Sequence, residues 1–552
     1  MSDNRKKAQI GGFVVQAGIL AAAGIIVRII GILYRVPLTH IIGDEGNGYY
    51  TSAYNIYTII LLVASYSIPS AMSKVLAQYL AVGDNKNAVL IVRCAFLYVI
   101  VVGGIASLLT WIFAPWLVQP NCVPVLRIFT PTIFFSGILG VLRGYFQSFK
   151  TMVPTSISQI LEQILNAAVS VFAAWLLISL SGSSDHTVIA KRGAMGSALG
   201  TGSGVLIALI FMLFCAIRYK DRIDSLKLPD NKEAKLLTVR EAFKVILTVI
   251  TPFILSTFIY NFSTSLNQTI YAKMMKGVYH MDQVRIATNY GIFAGKAVVM
   301  ANIPIALASA MSSALIPNIS AAFASKDIEK TKLQTGKAVK VTMLIAIPCC
   351  FGLAALSEPI TRLLFPQKQS LQLASLLLVS IAVTVVFYSL STLTNAVLQG
   401  IGKVNTPVHN ATAALVLQTI VLVVLLRFTS LGLYSLSIAM ITYSLSMCIL
   451  NQISVRKAMD YRQEWYNTFL IPVYAAFLMG IVTYASDQLI YRYSGSNVLG
   501  IFISMIVAIM TYSVIILRRG AVSKEEILAM PRGKSILAIL IKMKLFKEET
   551  RS

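Results

Sequence analysis

The chain alternates long apolar segments with short polar stretches along nearly its whole length. Apolar runs of about 20 residues are long enough for a helix to cross a bilayer. The pattern therefore predicts an all-α polytopic membrane protein with fourteen transmembrane helices. We call them spans 1–14, and they lie near residues 11–37, 49–73, 88–114, 124–148, 154–180, 193–217, 243–272, 286–318, 333–357, 369–399, 407–428, 431–452, 467–490 and 496–517.

Two short phrases occur in both halves of the chain and in the same order. Ser-Ala-Met-Ser stands at residues 70–73 and again at 309–312. Val-Leu-Arg-Gly at 141–144 is echoed by Val-Leu-Gln-Gly at 397–400. Internal duplication in a hydrophobic chain is typical of transporters whose two halves move about a shared central site.

The repeat predicts two lobes of six helices each, followed by two extra helices. The N-lobe is placed at residues 1–217 and the C-lobe at 243–452, with a basic cytoplasmic linker at 218–242 between them. The two extra helices occupy 467–517, and a basic cytoplasmic tail follows at 518–552.

Charge is scarce and lies mostly on one side of the predicted membrane. Only 12% of residues are charged, whereas an average soluble domain has roughly 25%. With the N-terminus inside, the inner segments hold most of the 47 lysines and arginines. This bias predicts cytoplasmic termini and explains the net charge of +25 without nucleic acid. The tail is read either as an amphipathic segment on anionic membrane lipids or as a frayed basic end.

The sequence contains no recognisable motif for nucleotide hydrolysis or metal binding. It contains no phosphate-binding Gly-x-x-x-x-Gly-Lys-Ser/Thr motif, and its four histidines and six cysteines show no metal-ligand spacing. The cysteines read as small apolar packing residues. We therefore expect a secondary transporter and not an enzyme, with no cofactor and no metal.

Four cations, Arg28, Arg35, Arg127 and Lys296, lie within or at the ends of predicted spans, where an ionisable group is costly. Arg28, Arg35 and Lys296 are the functional candidates among them. Arg28 in span 1 and Lys296 in span 8 both lie roughly 14–15 Å below the outer surface at 1.5 Å per residue. Arg35 lies one to two turns above Arg28. Together they suit an anion such as a diphosphate, which arginine binds through paired hydrogen bonds. The competing interpretation is that Arg35 snorkels to headgroups and Lys296 faces a structural carbonyl.

Glu162 is the clear acid inside the first lobe's spans. It is interpreted as the partner of a cavity cation, as a binding site for a proton or sodium ion, or as part of a polar helix contact. Pro69 and Pro304 lie within spans 2 and 8, where proline permits a kink. Matched kinks in the two lobes predict hinges, although ordinary transmembrane prolines would look the same.

These residues carry a resemblance to a known group of membrane proteins. Arg28 and Arg35 flank Gly31, residues 68–74 read Ile-Pro-Ser-Ala-Met-Ser-Lys, and residues 159–163 read Gln-Ile-Leu-Glu-Gln. Span 8 contains Tyr-Gly at 290–291 and Ile-Pro at 303–304 and 316–317. In these motifs the chain resembles the SpoVB/YtgP branch of the MOP exporter superfamily, which includes MurJ-type lipid II flippases and Wzx-type polysaccharide exporters.

The resemblance implies a V-shaped, MATE-like fold with a cationic central cavity. It implies transfer of an undecaprenyl-diphosphate-linked saccharide between the leaflets of a bacterial plasma membrane, with spans 13 and 14 holding the lipid tail. Arg28, Arg35 and Lys296 match the family's cavity cations. The pair of arginines that some MurJ proteins have in helix 2 is replaced by the nearby Lys74 alone.

Lipid II is the substrate that we favour, with another lipid-linked exopolysaccharide unit as the alternative. A MATE-type drug or cation antiporter and a scaffold in envelope or spore-coat assembly remain as rivals. Acidic sodium ligands found in the second lobe of some members have no match here. The coupling ion, Na⁺ or H⁺, therefore stays open, as does any partner among the enzymes of cell-envelope synthesis.

Overall fold

The computed structural model describes residues 19, 22–24, 26–31, 33–62, 68–149, 151–219, 236–306, 319, 322–323, 327–365, 367–403 and 405–522. Every regular element in these ranges is a helix, as the length of the apolar runs predicts. The chain is an all-α polytopic membrane protein. Residues 309–312, most of the linker and almost all of the tail lie outside the described ranges.

Nine of the described helices are long and apolar enough to cross a membrane, and two bent helix pairs raise that number to eleven. Many of their large apolar side chains point outward, such as Phe214, Ile217 and Phe502. An outward apolar surface is what the hydrocarbon core of a bilayer solvates. The count of fourteen spans is consistent with this part of the chain and stays a prediction.

The chain divides into two compact units. The first comprises Met1–Gly295 with Val423–Leu433, and the second comprises Lys296–Leu422 with Tyr434–Ser552. The predicted lobes and their linker stay predictions. The helices of the first unit are α1 (Arg35–Leu61), α2 (Ile68–Ala81), α3 (Asn85–Leu117), α4 (Val123–Ser148), α5 (Val153–Ser179), α6 (His186–Arg218), α7 (Val239–Gly277) and α8 (Gln283–Ile292).

Helix α1 fills the stretch that the hydropathy pattern assigned to a loop between spans 1 and 2. The backbone stays helical on both sides of Gly43, which takes φ 69° and ψ −177° and kinks the helix. Glycine adopts this left-handed φ without the steric cost that a Cβ would add. The predicted loop is therefore a kink at one residue.

Helices α5 and α6 pack closely because small residues line their interface. A Cβ on Gly196, Gly200 or Gly204 of α6 would come within 2.6 Å of the α5 backbone. A repeat of small residues at every fourth position lets two membrane helices approach at backbone distance. This contact fixes the face of α5 that carries Glu162.

Helices α1 and α8 also touch at glycines. A Cβ on Gly48 would lie 2.0 Å from the Ala287 carbonyl oxygen, and one on Gly291 would lie 2.1 Å from that of Asp44. Near this crossing, the Asn55 amide donates to Tyr290 Oη at 3.0 Å and to Gln268 Oε1 at 2.6 Å. The Tyr-Gly motif thus joins α8 to α1.

The two phrases that repeat along the chain meet in the first unit. A Cβ on Gly144 would lie 2.6 Å from Met72 Cβ and 2.8 Å from the Pro69 carbonyl oxygen. Only a glycine fits where α4 crosses α2 this closely. The Val-Leu-Arg-Gly phrase therefore packs on Pro69 and on the Ser-Ala-Met-Ser phrase that follows it.

The second unit begins within a π-helical turn, Phe293–Ala297, and continues through residues 298–306. Its helices α11 and α12 form one of the bent pairs, with a bend of 42°. The helices are α9 (Ile328–Ala355), α10 (Ser357–Leu364), α11 (Lys368–Ala382), α12 (Thr384–Gly400), α13 (Thr406–Phe428), α14 (Tyr434–Met459), α15 (Ile471–Ser494) and α16 (Asn497–Arg518).

Helices α15 and α16 correspond to spans 13 and 14 and pack against each other as an antiparallel pair. They are joined at Gly495, which takes φ 64° and ends α15. Ser496 then caps α16 by accepting a hydrogen bond from the Leu499 N–H. This is the ordinary combination of a left-handed glycine at a helix C-terminus and a serine at a helix N-terminus.

Candidate functional site

Arg35 is the first residue of α1 and is partly exposed. Its guanidinium donates to the side chain of Tyr34 and lies within electrostatic range of the Tyr50 and Tyr54 phenols. In the described part of the chain no carboxylate lies within ion-pair distance of it. Neutral phenols orient this cation without cancelling its charge.

The phenols around Arg35 belong to an aromatic cluster along α1. Tyr57 stacks on Phe129 of α4 with ring centroids 4.7 Å apart, and Tyr50 lies 5.6 Å from Tyr54 and 5.7 Å from Phe129. Such ring contacts restrict the rotamers of large side chains. Arg35 therefore lies next to tyrosine side chains whose own rotamers are restricted by ring contacts.

Glu162 of α5 forms an ion pair with Arg143 of α4. Arg143 Nη2 donates to Glu162 Oε2 at 2.7 Å, and Arg143 Nε donates to Ser158 Oγ at 2.9 Å. The Arg143 side chain is 13% exposed and that of Glu162 is 30% exposed. The acid singled out from the sequence thus has a cation as its neighbour.

Hydroxyl and amide groups extend from the tyrosines to the turn of α5 next to Glu162, and Tyr54 lies within electrostatic range of both Arg35 and Glu162. Thr201 of α6 contacts Tyr50 Oη at 3.3 Å, and its hydroxyl donates to Asn166 Oδ1 at 3.5 Å. Asn166 lies one turn from Glu162 on α5, where residues four apart share a face. We call this set the polar cluster of the first unit: Arg35, Tyr50, Tyr54, Arg143, Glu162, Asn166 and Thr201.

The polar cluster holds two guanidinium groups and one carboxylate, so its formal charge is positive. Because these groups lie on apolar helices, water screens that charge less than at a soluble surface. A positive cluster with several hydrogen-bond donors binds an anion better than a cation. Its chemistry suits the oxygens of a phosphate or diphosphate.

The other predicted cations are placed differently. Arg28 and Lys74 of the first unit are exposed. Lys296 of the second unit is 1% exposed and lies in the π-helical turn. Its ammonium donates to Ser370 Oγ at 2.7 Å and lies 5.5 Å from the centroid of the Phe365 ring. Lys296 is thus enclosed in this state, at a type of helical irregularity common in functional sites.

The two predicted hinge prolines differ in position. Pro69 is the second described residue of α2, and residues 63–67 before it lie outside the described ranges. Pro304 is buried in the helical residues 298–306. Their role as hinges stays a prediction.

Two functional candidates escaped the sequence reasoning. Arg143 was noted only as part of a repeated phrase. The signal that could have found it is that its counterpart in the second phrase, Gln399, is neutral. Asp487 in α15 is a lone acid in an apolar span, and that is itself a signal of function. Hydropathy alone does not reveal that its side chain is buried.

Comparison with known proteins places this arrangement in a family. The family described as polysaccharide biosynthesis protein matches residues 13–323, which is more than half of the chain. The chain belongs to this family. A second family, MatE, matches residues 294–425. The chain is therefore a member of the MOP superfamily of transporters and flippases, as the motifs predicted.

Relatives within this family come from Bacillus subtilis (strain 168). The chain is 26% identical to lipid II flippase MurJ over 433 residues, which cover 74% of this chain and 76% of that protein. It is 24% identical to stage V sporulation protein B over 522 residues, which cover 93% and 96%.

A solved structure of lipid II flippase MurJ, in an inward closed conformation, has the same fold. The TM-score is 0.67 at 16% identity, and the match covers 90% of this chain and 97% of that structure. This likeness shows that the chain has the MOP fold.

Proposed function

We propose that this family member is a flippase for an undecaprenyl-diphosphate-linked saccharide, with lipid II as the favoured substrate. It moves the headgroup from the inner to the outer leaflet of a bacterial plasma membrane by alternating access. Both termini are cytoplasmic. No bond is broken, and the membrane potential or an ion gradient drives the step.

The observation that carries the proposal is the positive charge of the polar cluster. Arg35 faces phenols, and the nearby acid Glu162 is already bound to Arg143. A diphosphate carries about two negative charges and offers oxygens for paired hydrogen bonds to arginine. The cluster therefore favours the linker of the lipid over a cationic drug, for which a MATE-type antiporter would present carboxylates.

Each predicted cation has a part in this scheme. Arg28 and Lys74, both exposed, meet the headgroup first. Arg35 binds the diphosphate next to the Tyr50 and Tyr54 side chains. Lys296 is enclosed by Ser370 and Phe365 here and is released to the substrate in another state of the transport cycle.

A second candidate substrate is another lipid-linked polysaccharide unit. The family description and the similarity to stage V sporulation protein B favour it. The diphosphate linker is common to both substrates, so the same cations serve either one.

Rescue of a bacterium depleted of its lipid II flippase tests the proposal. We expect the wild-type chain to restore growth and to lower the amount of lipid II on the inner leaflet. The Arg28→Ala variant is expected to reach the membrane and fail. If the wild-type protein is present in the membrane and lipid II still accumulates inside, lipid II is not its substrate. Rescue by the Arg28→Ala variant would show that Arg28 is not part of the substrate-binding site.

A further inference from the structure

Asp487 is a buried acid in the helix pair α15–α16, apart from the polar cluster. It lies in the last third of α15, and its side chain is 5% exposed. Its Oδ1 atom is buried and has no hydrogen-bond partner in the described part of the chain. A carboxylate oxygen without a donor in an apolar span is unstable when charged.

The neighbours of Asp487 form a small polar seam between the two helices. Thr483 is one turn away on the same face and is fully buried, and its hydroxyl oxygen also has no partner among the described residues. The Ser486 hydroxyl donates to Ser504 of α16 at 2.9 Å. Gly500 of α16 lies so close that a Cβ there would be 2.9 Å from Asp487 Oδ1. The carboxyl group thus faces α16.

Charges around the seam compensate an ionised Asp487 only in part, and burial outweighs them. From α10, Arg362 and Glu358 come within electrostatic range, but they are paired with each other. The Arg362 guanidinium also lies 5.1 Å from the Tyr491 ring. The facing helices carry no ionisable Asp, Glu, Lys, Arg or His side chain along residues 341–355 of α9 and 498–517 of α16.

An ionised Asp487 would keep its buried Oδ1 atom negatively charged with no donor among the described residues, and desolvation disfavours that form. Uptake of a proton removes the charge. The proton also supplies a hydrogen to a seam in which Asp487 Oδ1 and Thr483 Oγ1 have no partner in the described part of the chain.

We propose that Asp487 is a proton-binding site. The carboxyl group holds a proton while α15 and α16 are packed as seen here and releases it when the seam opens to water. The site stands on its own geometry. Its use as the coupled-ion site of transport rests on the proposed flippase function.

Infrared spectroscopy of the purified full-length protein in lipid nanodiscs tests the site directly. We expect a C=O band of a protonated carboxyl group at neutral pH that is absent from Asp487→Asn. The matched control is Asp460→Asn, because Asp460 is exposed and lies in the loop after α14. This control should keep the band. A band that persists in Asp487→Asn, or no such band in the wild type, would overturn the proposal.

The pH dependence of unfolding gives a second test that needs no transport. If the folded state holds the proton more tightly than the unfolded state, stability falls as pH rises. We expect the unfolding temperature of the wild type to drop between mildly acidic and alkaline pH. The Asp487→Asn variant should show a smaller drop than Asp460→Asn. Equal drops in the two variants would contradict a proton at Asp487, whether or not the protein flips lipid.

Discussion

Arg35 is the residue through which the proposed diphosphate contact is most easily tested. Replacement by alanine removes a charge-assisted hydrogen bond worth roughly 1.5–3 kcal/mol. We expect Arg35→Ala to weaken binding of undecaprenyl diphosphate by about 10- to 100-fold, since 1.4 kcal/mol corresponds to about tenfold. Titration of the purified protein with this lipid, followed by intrinsic fluorescence, measures the change.

Arg127→Ala is the matched control for this experiment. Arg127 is also an arginine of a spanning helix, but it stacks on Trp111 at 4.6 Å and lies outside the polar cluster. Its loss should leave the affinity within about twofold, a difference of roughly 0.4 kcal/mol. Equal affinity losses in the two variants would point to a general effect of charge and would contradict a specific site at Arg35.

The ion pair between Arg143 and Glu162 makes a separate prediction about stability. Glu162→Gln leaves Arg143 without its counter-ion in a partly buried place. We expect the free energy of unfolding to fall by about 1–2 kcal/mol, less than for a fully buried pair because Glu162 is partly hydrated. A double-mutant cycle with Arg143→Gln, read from thermal unfolding in detergent, measures the coupling. Additive effects of the two substitutions would show that the pair contributes nothing.

Sequence reasoning found individual residues of the site more readily than their partners. Arg35 and Glu162 stand out because charges are rare in apolar spans. The partner of Glu162 is Arg143 on another helix, and that pairing depends on which faces of α4 and α5 meet. Hydropathy gives the spans but not their rotation about their axes. The enclosure of Lys296 by Ser370, 74 positions along the chain, was hidden for the same reason.

At the scale of elements, the glycines of α6 set the distance between α5 and α6. Gly200→Ala would place a Cβ 2.5 Å from the Ser170 backbone nitrogen. The helices must then separate, at a cost of typically 1–3 kcal/mol for an overpacked interface. We expect a lower unfolding temperature in detergent and weaker transport, because Glu162, Asn166 and Thr201 lie on these two helices.

Gly277→Ala serves as the control for that substitution. Gly277 ends α7, and a Cβ there meets nothing within 4 Å. Alanine at this exposed position should leave the unfolding temperature unchanged or raise it slightly. An unchanged unfolding temperature in Gly200→Ala would mean that α5 and α6 adapt without strain.

The lengths of the apolar runs predicted the existence of the helices better than the irregularities within them. The bend between α11 and α12, the π-helical turn at Lys296 and the kink at Gly43 all interrupt segments that hydropathy presents as continuous or as loops. Such breaks arise from packing against neighbouring helices, which a single span does not encode. The Tyr-Gly motif was visible in the sequence, but its contact with α1 required the fold.

For the whole molecule, the asymmetry of lysine and arginine predicts the orientation in the membrane. The positive-inside bias predicts that both termini lie in the cytoplasm. A green fluorescent protein fused after Ser552 should therefore fluoresce in bacteria, and alkaline phosphatase at the same position should be inactive. An inactive green fluorescent protein together with an active alkaline phosphatase would contradict the predicted orientation. The ends of the spans that are assigned to the outer surface would then lie on the cytoplasmic side.

Internal duplication predicted a two-part transporter, and the chain does carry the MOP fold. The repeated phrases are too short to predict where the chain divides into its two units. The boundary depends on contacts that each helix makes along its whole length. The repeat does not predict which lipid-linked saccharide is moved, since in the proposed function the cations contact the diphosphate linker that these lipids share.

The most direct test of the central claim is transport by the purified protein in liposomes. Fluorescent lipid II placed in one leaflet becomes accessible to a quencher on the other side only when it is flipped. We predict that the wild type and Arg127→Ala flip lipid II well above protein-free liposomes, while the Arg28→Ala/Arg35→Ala double variant does not. Flipping by the double variant at the wild-type rate would contradict the role of these arginines. No flipping by the folded wild type, with an exopolysaccharide lipid as well as with lipid II, would contradict the function itself.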